Sequence, residues 1–259
     1  MPFANLSDTK LHYEFSGAQH LPIVLFSNGL GTTVHMWDGQ IDAITRHFRV
    51  LRYDTRGHGQ SGLTPGPYTI EQLSWDVVGL LDVLRLERVS FCGLSMGGMI
   101  GMFLGANTGG RLHKLVLCNT SRKFGPEDIW NKRIEAVESG GMKAITTTVV
   151  DRWLTPGFRA SHPAETQSVR TMLESADPEG YVACCAAVRD MDLQDAVAKI
   201  RVPTLVATGT DDVAATPAEG QFVAESIPGA SYTEFAAAHL SNIEARDEFN
   251  RRIVQFLLA

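Results

Sequence analysis

Residues 89–99 read Val-Ser-Phe-Cys-Gly-Leu-Ser-Met-Gly-Gly-Met and hold the pattern G-x-S-x-G as Gly93-Leu94-Ser95-Met96-Gly97. An apolar run precedes the pattern and a helix-forming run follows it. This context suits a serine presented from a sharp strand-to-helix turn, where glycines at the flanking positions prevent collisions. A serine hydroxyl is a weak nucleophile until an imidazole removes its proton, and the imidazole needs a carboxylate to orient it. Of eight histidines, only His239 lies beyond the last strand-like run, Ser231–Phe235. Gly209-Thr210-Asp211-Asp212 follows the run Thr204–Thr208 and offers two adjacent carboxylates. Adjacent side chains point in different directions, so spacing alone does not choose between them. Asn119 stands at the other place an acid could come from, and an amide carries no charge to stabilise an imidazolium. An oxyanion formed on attack needs two preorganised N–H donors. The backbone N–H groups of Leu30, in Ser27-Asn28-Gly29-Leu30-Gly31, and of Met96 are the candidates.

The elements that must position these groups are legible as alternating short apolar runs and helix-like segments. Strands are expected at Ile23–Ser27, Arg49–Tyr53, Val89–Cys92, Lys114–Cys118, Thr204–Thr208 and Ser231–Phe235, with an amphipathic hairpin near Phe3–Phe15. Helices are expected at Ile70–Leu84, Met96–Ala106, Pro217–Ser226 and Arg246–Leu257. From about 121 to 189 there is no convincing strand, and a structureless loop of that length is improbable in a compact domain. This stretch is read as a helical cap inserted after the sixth strand. The core would comprise residues 1–120 and 190–259, the whole forming one structural domain. The class is α/β, a mostly parallel eight-stranded sheet flanked by helices, and the order Ser, acid, His is that of the α/β-hydrolase fold. Asp54-Thr55-Arg56-Gly57-His58-Gly59-Gln60-Ser61 after the fourth strand is read as a structural turn pinned by Arg56 and Asp54.

Composition narrows the partners. With 44% hydrophobic and 20% charged residues the chain can build a core, which excludes a disordered chain. The net charge of −6 comes without a Lys/Arg cluster, so nucleic acid is not an expected partner. No apolar run is long enough for a membrane span, and no secretory leader is visible. Cys92, Cys118, Cys184 and Cys185 form no C-x-x-C pair and suit a reducing cytoplasm.

YDTRGHGQS at 53–61, FCGLSMGG at 91–98, GTDDVAATPAEG at 209–220 and AAHLSNIE at 237–244 together resemble the 3-oxoadipate enol-lactonases of aromatic catabolism. The resemblance runs over nearly the whole chain, including PYTIEQL at 67–73 and DPEGY at 177–181. It implies that the acid is Asp212 rather than Asp211, beside Ser95 and His239. It also implies a substrate that is a five-membered enol lactone with a carboxymethyl arm, opened by water to 3-oxoadipate without metal or organic cofactor. One departure is Asn28-Gly29, where many α/β-hydrolases have His-Gly. The substrate carboxylate asks for a cation in the cap. Arg133, three residues after Trp130, would share a helix face with that indole, and Trp130 and Trp153 would exclude water. Rival readings are a carboxylesterase, a C–C bond hydrolase or a perhydrolase on the same fold, and a hydrolase-like receptor that binds a small signal.

Overall fold

The computed structural model describes residues 2–259. The strands are β1 Phe3–Asn5, β2 Lys10–Ser16, β3 Ile23–Ser27, β4 Arg49–Tyr53, β5 Val89–Leu94, β6 Leu112–Cys118, β7 Thr204–Gly209 and β8 Ser231–Phe235. They form one sheet in the order β1-β2-β4-β3-β5-β6-β7-β8. β1 and β2 pair antiparallel and join β4 antiparallel, while every pairing from β4 to β8 is parallel. The helices are α1 Ile41–Ile44, α2 Ile70–Val83, α3 Met96–Asn107, α4 Glu127–Gly140, α5 Lys143–Trp153, α6 Pro156–Ser161, α7 Pro163–Glu174, α8 Pro178–Asp190, α9 Gln194–Val197, α10 Pro217–Ser226, α11 Ser241–Glu244 and α12 Arg246–Leu258. No helix of the described residues is long and apolar enough to cross a membrane.

Register explains why the loops meet. Ser27 pairs with Gly93, Leu94 with Cys118, and Cys118 with Ala207, so β3, β5, β6 and β7 end side by side. The segments beginning at Asn28, Ser95, Asn119 and Thr210 therefore open on one carboxyl edge, where parallel α/β sheets bind ligands. β5 is buried along its whole length, which is why its sequence is a continuous apolar run rather than an alternation. α3 is buried on nearly all sides. Its glycines let it lie close to the sheet: a Cβ on Gly101 would sit 2.9 Å from the Phe91 ring. Six helices, α4 to α9, separate β6 from β7, and the first five pack around Val137, Val149, Val150, Leu173 and Tyr181. Asp177 caps α8 by accepting from the N–H groups of Glu179 and Gly180 at 2.9 and 3.1 Å.

The 54–61 turn ties these parts together. Asp54 accepts from the N–H of Val34 at 2.9 Å and of Gln60 at 3.0 Å, and its Oδ2 lies 2.7 Å from His12 Nδ1. Arg56 does not pair with Asp54. Its guanidinium binds Asp76 at 2.6 and 2.8 Å and Asp8 at 2.7 and 2.9 Å. The Asp76 hydrogen bonds raise the Arg56 pKa, whereas burial pushes the Asp76 carboxyl above its usual value and Arg56 opposes that. At Gly57 the backbone meets α8 so closely that a Cβ on Gly180 would collide with the Gly57 carbonyl. Replacing Arg56 by Ala would leave the Asp76 carboxylate buried and unpaired, which costs about 3–5 kcal/mol. Urea unfolding of Arg56→Ala should read a loss of that size.

Candidate active site

Ser95 joins β5 to α3 with φ 57° and ψ −115°, a region L-residues rarely adopt. Its N–H donates to the Cys118 carbonyl at 2.9 Å, and its own carbonyl accepts from Thr120 Oγ1 at 2.8 Å. A Cβ on Gly93 would collide with the Gly97 carbonyl, and one on Gly97 with the Ser27 carbonyl. Both glycines of the G-x-S-x-G pattern are thus required by contact, not by flexibility.

Asp212 follows β7, and His239 follows β8. His239 Nδ1 lies 2.8 Å from Asp212 Oδ2, and both side chains are almost fully buried. The same Oδ2 accepts from Asn119 Nδ2 at 3.0 Å, while Oδ1 accepts from the N–H of Ala214 at 2.8 Å and of Ala215 at 2.9 Å. Burial works against ionisation of Asp212. The charge and hydrogen bond of His239, with the bonds from Asn119 and Ala215, outweigh it and hold the carboxyl below its usual value. Asp211 instead accepts from Thr210 Oγ1 at 2.9 Å at the surface. Ser95 and His239 line one pocket without a hydrogen bond between them, a looseness common in unliganded triads.

Asn119, excluded as an acid, is a partner of the acid. It adopts φ 45°, which asparagine tolerates, and its Oδ1 accepts from Ser241 Oγ at 2.5 Å. A short polar residue at the end of β6 was the available signal.

On the other side of Ser95, the loop after β3 is held by three of its N–H groups. Gly29 donates to Met36 Sδ at 3.3 Å, Gly31 to His58 Nε2 at 2.9 Å, and Thr32 to the Gly29 carbonyl at 3.2 Å. The Leu30 N–H between them donates to no group among the described residues. The Met96 N–H is the first of α3 and belongs to the unpaired turn of a helix N-terminus. Two donors are therefore unspent beside Ser95, which is what an oxyanion requires. Asn28 turns away from the pocket. Its amide donates to the Tyr53 carbonyl at 2.8 Å and accepts from Trp37 Nε1 at 2.9 Å, so it anchors the loop. His58 accepts at Nε2, which places its proton on Nδ1, facing the Arg56 carbonyl at 3.4 Å and Cys184 Sγ at 3.9 Å. Burial lowers its pKa and keeps the imidazole neutral.

The pocket measures about 220 Å³. That is below the roughly 300–1,000 Å³ of sites for drug-sized ligands, so it suits a small substrate. Leu30, Ser95, Trp130, Arg133, Trp153 and His239 all line it, while Met96 and Asp212 stand behind the lining. Arg133 stacks on Trp130, its guanidinium carbon 4.7 Å from the ring centre. Arg152 and Tyr181 also face this pocket, and sequence reasoning passed over both. No Asp or Glu is among its lining residues. Among the described residues no cluster of three or more His, Cys, Asp or Glu side chains is placed to hold a metal ion.

Residues 22–145 match the model of the alpha/beta hydrolase fold family. The chain is 37% identical to 3-oxoadipate enol-lactonase 2 of Acinetobacter baylyi, over 95% of this chain and 92% of that protein. The chain belongs to the enol-lactonase family of α/β-hydrolases. The crystal structure of the enol-lactonase from Burkholderia xenovorans LB400 superposes with a TM-score of 0.98 at 44% identity, covering 100% of both chains. A thermophilic esterase from Thermogutta terrifontis superposes with a TM-score of 0.90 at 29% identity, covering 96% of this chain and 93% of that one. Both structural relatives are thus hydrolases, and the likeness is stronger to the lactonase.

Three outcomes follow for this enol-lactonase-family site. Asp212→Asn should lower kcat by about 10³–10⁴-fold by losing the charge that orients His239. Because the Asp212 pKa is depressed by folding, its contribution to stability is complete above the unfolded carboxyl value and is lost as pH falls below 3.8. The stability gap between wild type and Asp212→Asn should accordingly be constant near neutrality and shrink under acid, read by urea unfolding at each pH. His58→Phe removes the acceptor for the Gly31 N–H. It should lower kcat by about 10- to 100-fold, short of the loss of a whole oxyanion donor, with KM changed by less than about twofold.

Proposed function

We propose that this protein hydrolyses 3-oxoadipate enol-lactone to 3-oxoadipate, with Ser95 as nucleophile, His239 as general base and acid, and Asp212 as its orienting carboxylate. The observation that carries this reading is a small pocket on which Ser95, His239 and two arginines converge without any carboxylate. Ser95 Oγ attacks the ring carbonyl carbon while His239 Nε2 takes its proton. The N–H groups of Leu30 and Met96 receive the oxyanion. The ring C–O bond then breaks, and the leaving oxygen departs as an enolate that His239 or solvent protonates on the way to the ketone. An enolate is a good leaving group, so little acid assistance is needed. Water activated by His239 hydrolyses the acyl-enzyme, releasing a carboxylic acid and restoring Ser95.

The carboxymethyl arm stays ionised throughout, and Arg133 is assigned to hold it. Stacking on Trp130 fixes the guanidinium plane, and a guanidinium can give a carboxylate two parallel hydrogen bonds. Trp130 and Trp153 close the pocket against water, so α4 to α8 act as a cap over the reacting bond. The four cysteines are free and buried, in keeping with action in a reducing cytoplasm. The esterase likeness supports a second reading, hydrolysis of simple carboxylic esters by the same triad, yet an ester without an anion leaves both arginines facing the pocket unused.

The test is to generate the enol-lactone in situ and follow the loss of its ultraviolet absorbance. Wild type should consume it rapidly, and Ser95→Ala should fall to about 10⁻⁶ of that rate. Turnover of p-nitrophenyl acetate with no turnover of the lactone would keep the triad and remove the substrate.

A further inference from the structure

The ring-opening reaction changes the charge of what the pocket holds. The lactone carries one carboxylate; hydrolysis of the acyl group creates a second. Two arginines line the pocket, Arg133 from α4 and Arg152 from α5. Arg133, on α4, lies beside the fully buried Tyr181, whose ring packs against Gly31 of the loop next to Ser95. Tyr181 lines the same pocket, and its buried hydroxyl lies near Arg133 and Cys185 without a hydrogen bond of normal geometry. Arg152 is in the last turn of α5, and that turn is fastened to the histidine loop. The Leu240 N–H donates to the Trp153 carbonyl at 3.0 Å, and Glu244 accepts from Thr155 and from the Ala238 N–H. Arg152 makes no ion pair or hydrogen bond with any described residue, although the chain carries a net charge of −6 and offers 29 carboxylates. A half-buried arginine left unpaired in an acidic protein, lining a pocket without a carboxylate, is a site for an anion.

We propose that the pocket is a two-carboxylate site, with Arg133 and Tyr181 on the arm that the substrate brings and Arg152 on the carboxylate that hydrolysis makes. Linear six-carbon dicarboxylates are then ligands of the free enzyme, and the ring-opened product competes with the substrate. This rests on the lactonase reading for the identity of the product, but on the pocket alone for its preference for dianions. Arg152 is a specificity residue here. It separates dianionic from monoanionic ligands of equal length, because the second carboxylate finds a charged fork instead of an apolar wall.

The experiment measures inhibition of p-nitrophenyl acetate hydrolysis by adipate and by hexanoate, which share a chain length and differ by one carboxylate. Adipate should inhibit competitively with a Ki at least about tenfold below that of hexanoate, the worth of one charge-assisted pair. In Arg152→Gln the ratio of the two constants should fall to within about threefold of unity. Calorimetric titration of adipate and hexanoate into Ser95→Ala, where no turnover intervenes, should give the same contrast. Equal constants for the two acids in wild type would overturn the proposal, as would a ratio that survives Arg152→Gln. The enol-lactone takes no part in these measurements. A protein inert toward the lactone can still show the adipate preference, and one that opens the lactone can lack it.

Discussion

Holding Ser95 at φ 57° costs of order 1–3 kcal/mol, and the surrounding sheet must offset it. The offset is specific. β6 supplies the Cys118 carbonyl to the Ser95 N–H, Thr120 supplies a hydroxyl to the Ser95 carbonyl, and α3 begins at the next residue and fixes the chain direction. The elbow closes only because β3 ends beside it: the Ser27 carbonyl occupies the space a Gly97 side chain would need. The parallel order of β3, β5 and β6 is therefore more than a scaffold for Ser95. It creates the strain and restrains it, and it leaves the first N–H of α3 pointing out unpaired.

A second constraint is that the cap must keep a fixed distance from this elbow. Three contacts set it. Gly57 meets Gly180 backbone to backbone, Gly31 lies under Leu173 and Tyr181, and the end of α5 hydrogen-bonds Leu240 beside His239. Each ends on a loop bearing part of the site: the His58 turn, the Leu30 loop, the His239 loop. The cap is thereby packed on the catalytic loops rather than hinged away from them, and a shift of α8 would be felt at Gly31 through both Tyr181 and the Cys184–His58 contact. The interior is close-packed, so such a shift cannot be absorbed locally.

The core and the strand-to-helix elbow at Ser95 were legible because their signals are local. β-branched runs mark β3 to β8, and two glycines two residues either side of Ser95 mark a turn that tolerates no side chains. Strand ends ran one or two residues longer than expected at β5, β6 and β7, since pairing with neighbours extends a strand past its apolar run. What was not legible depends on contacts far apart in sequence. His58 reaches Gly31 across 27 residues and Asn119 reaches Asp212 across 93, and nothing local announces either bond. Arg152 illustrates a different limit. Helical spacing put Arg133 on the face of Trp130, but Arg152 is adjacent to Trp153 and by spacing alone points about 100° away from it. Both residues nonetheless line the pocket, at the point where α5 ends.

The electrostatics of the site follow from how Asp212 is neutralised. An ionised carboxylate this close to the nucleophile would repel an anionic substrate if its charge reached the pocket. Asp212 instead accepts four hydrogen bonds, from His239, Asn119, Ala214 and Ala215, and stands behind the imidazole instead of on the lining. Its charge is directed at His239, and in the proposed mechanism it stabilises the imidazolium that forms there. With that carboxylate screened, the field inside the pocket is set by the two arginines and the two unpaired N–H groups. All four favour negative charge. In the proposed reaction, negative charge develops at the oxyanion, disappears in the acyl-enzyme and returns in the second carboxylate, each time in a pocket whose charged and polar groups favour it over a neutral ground state.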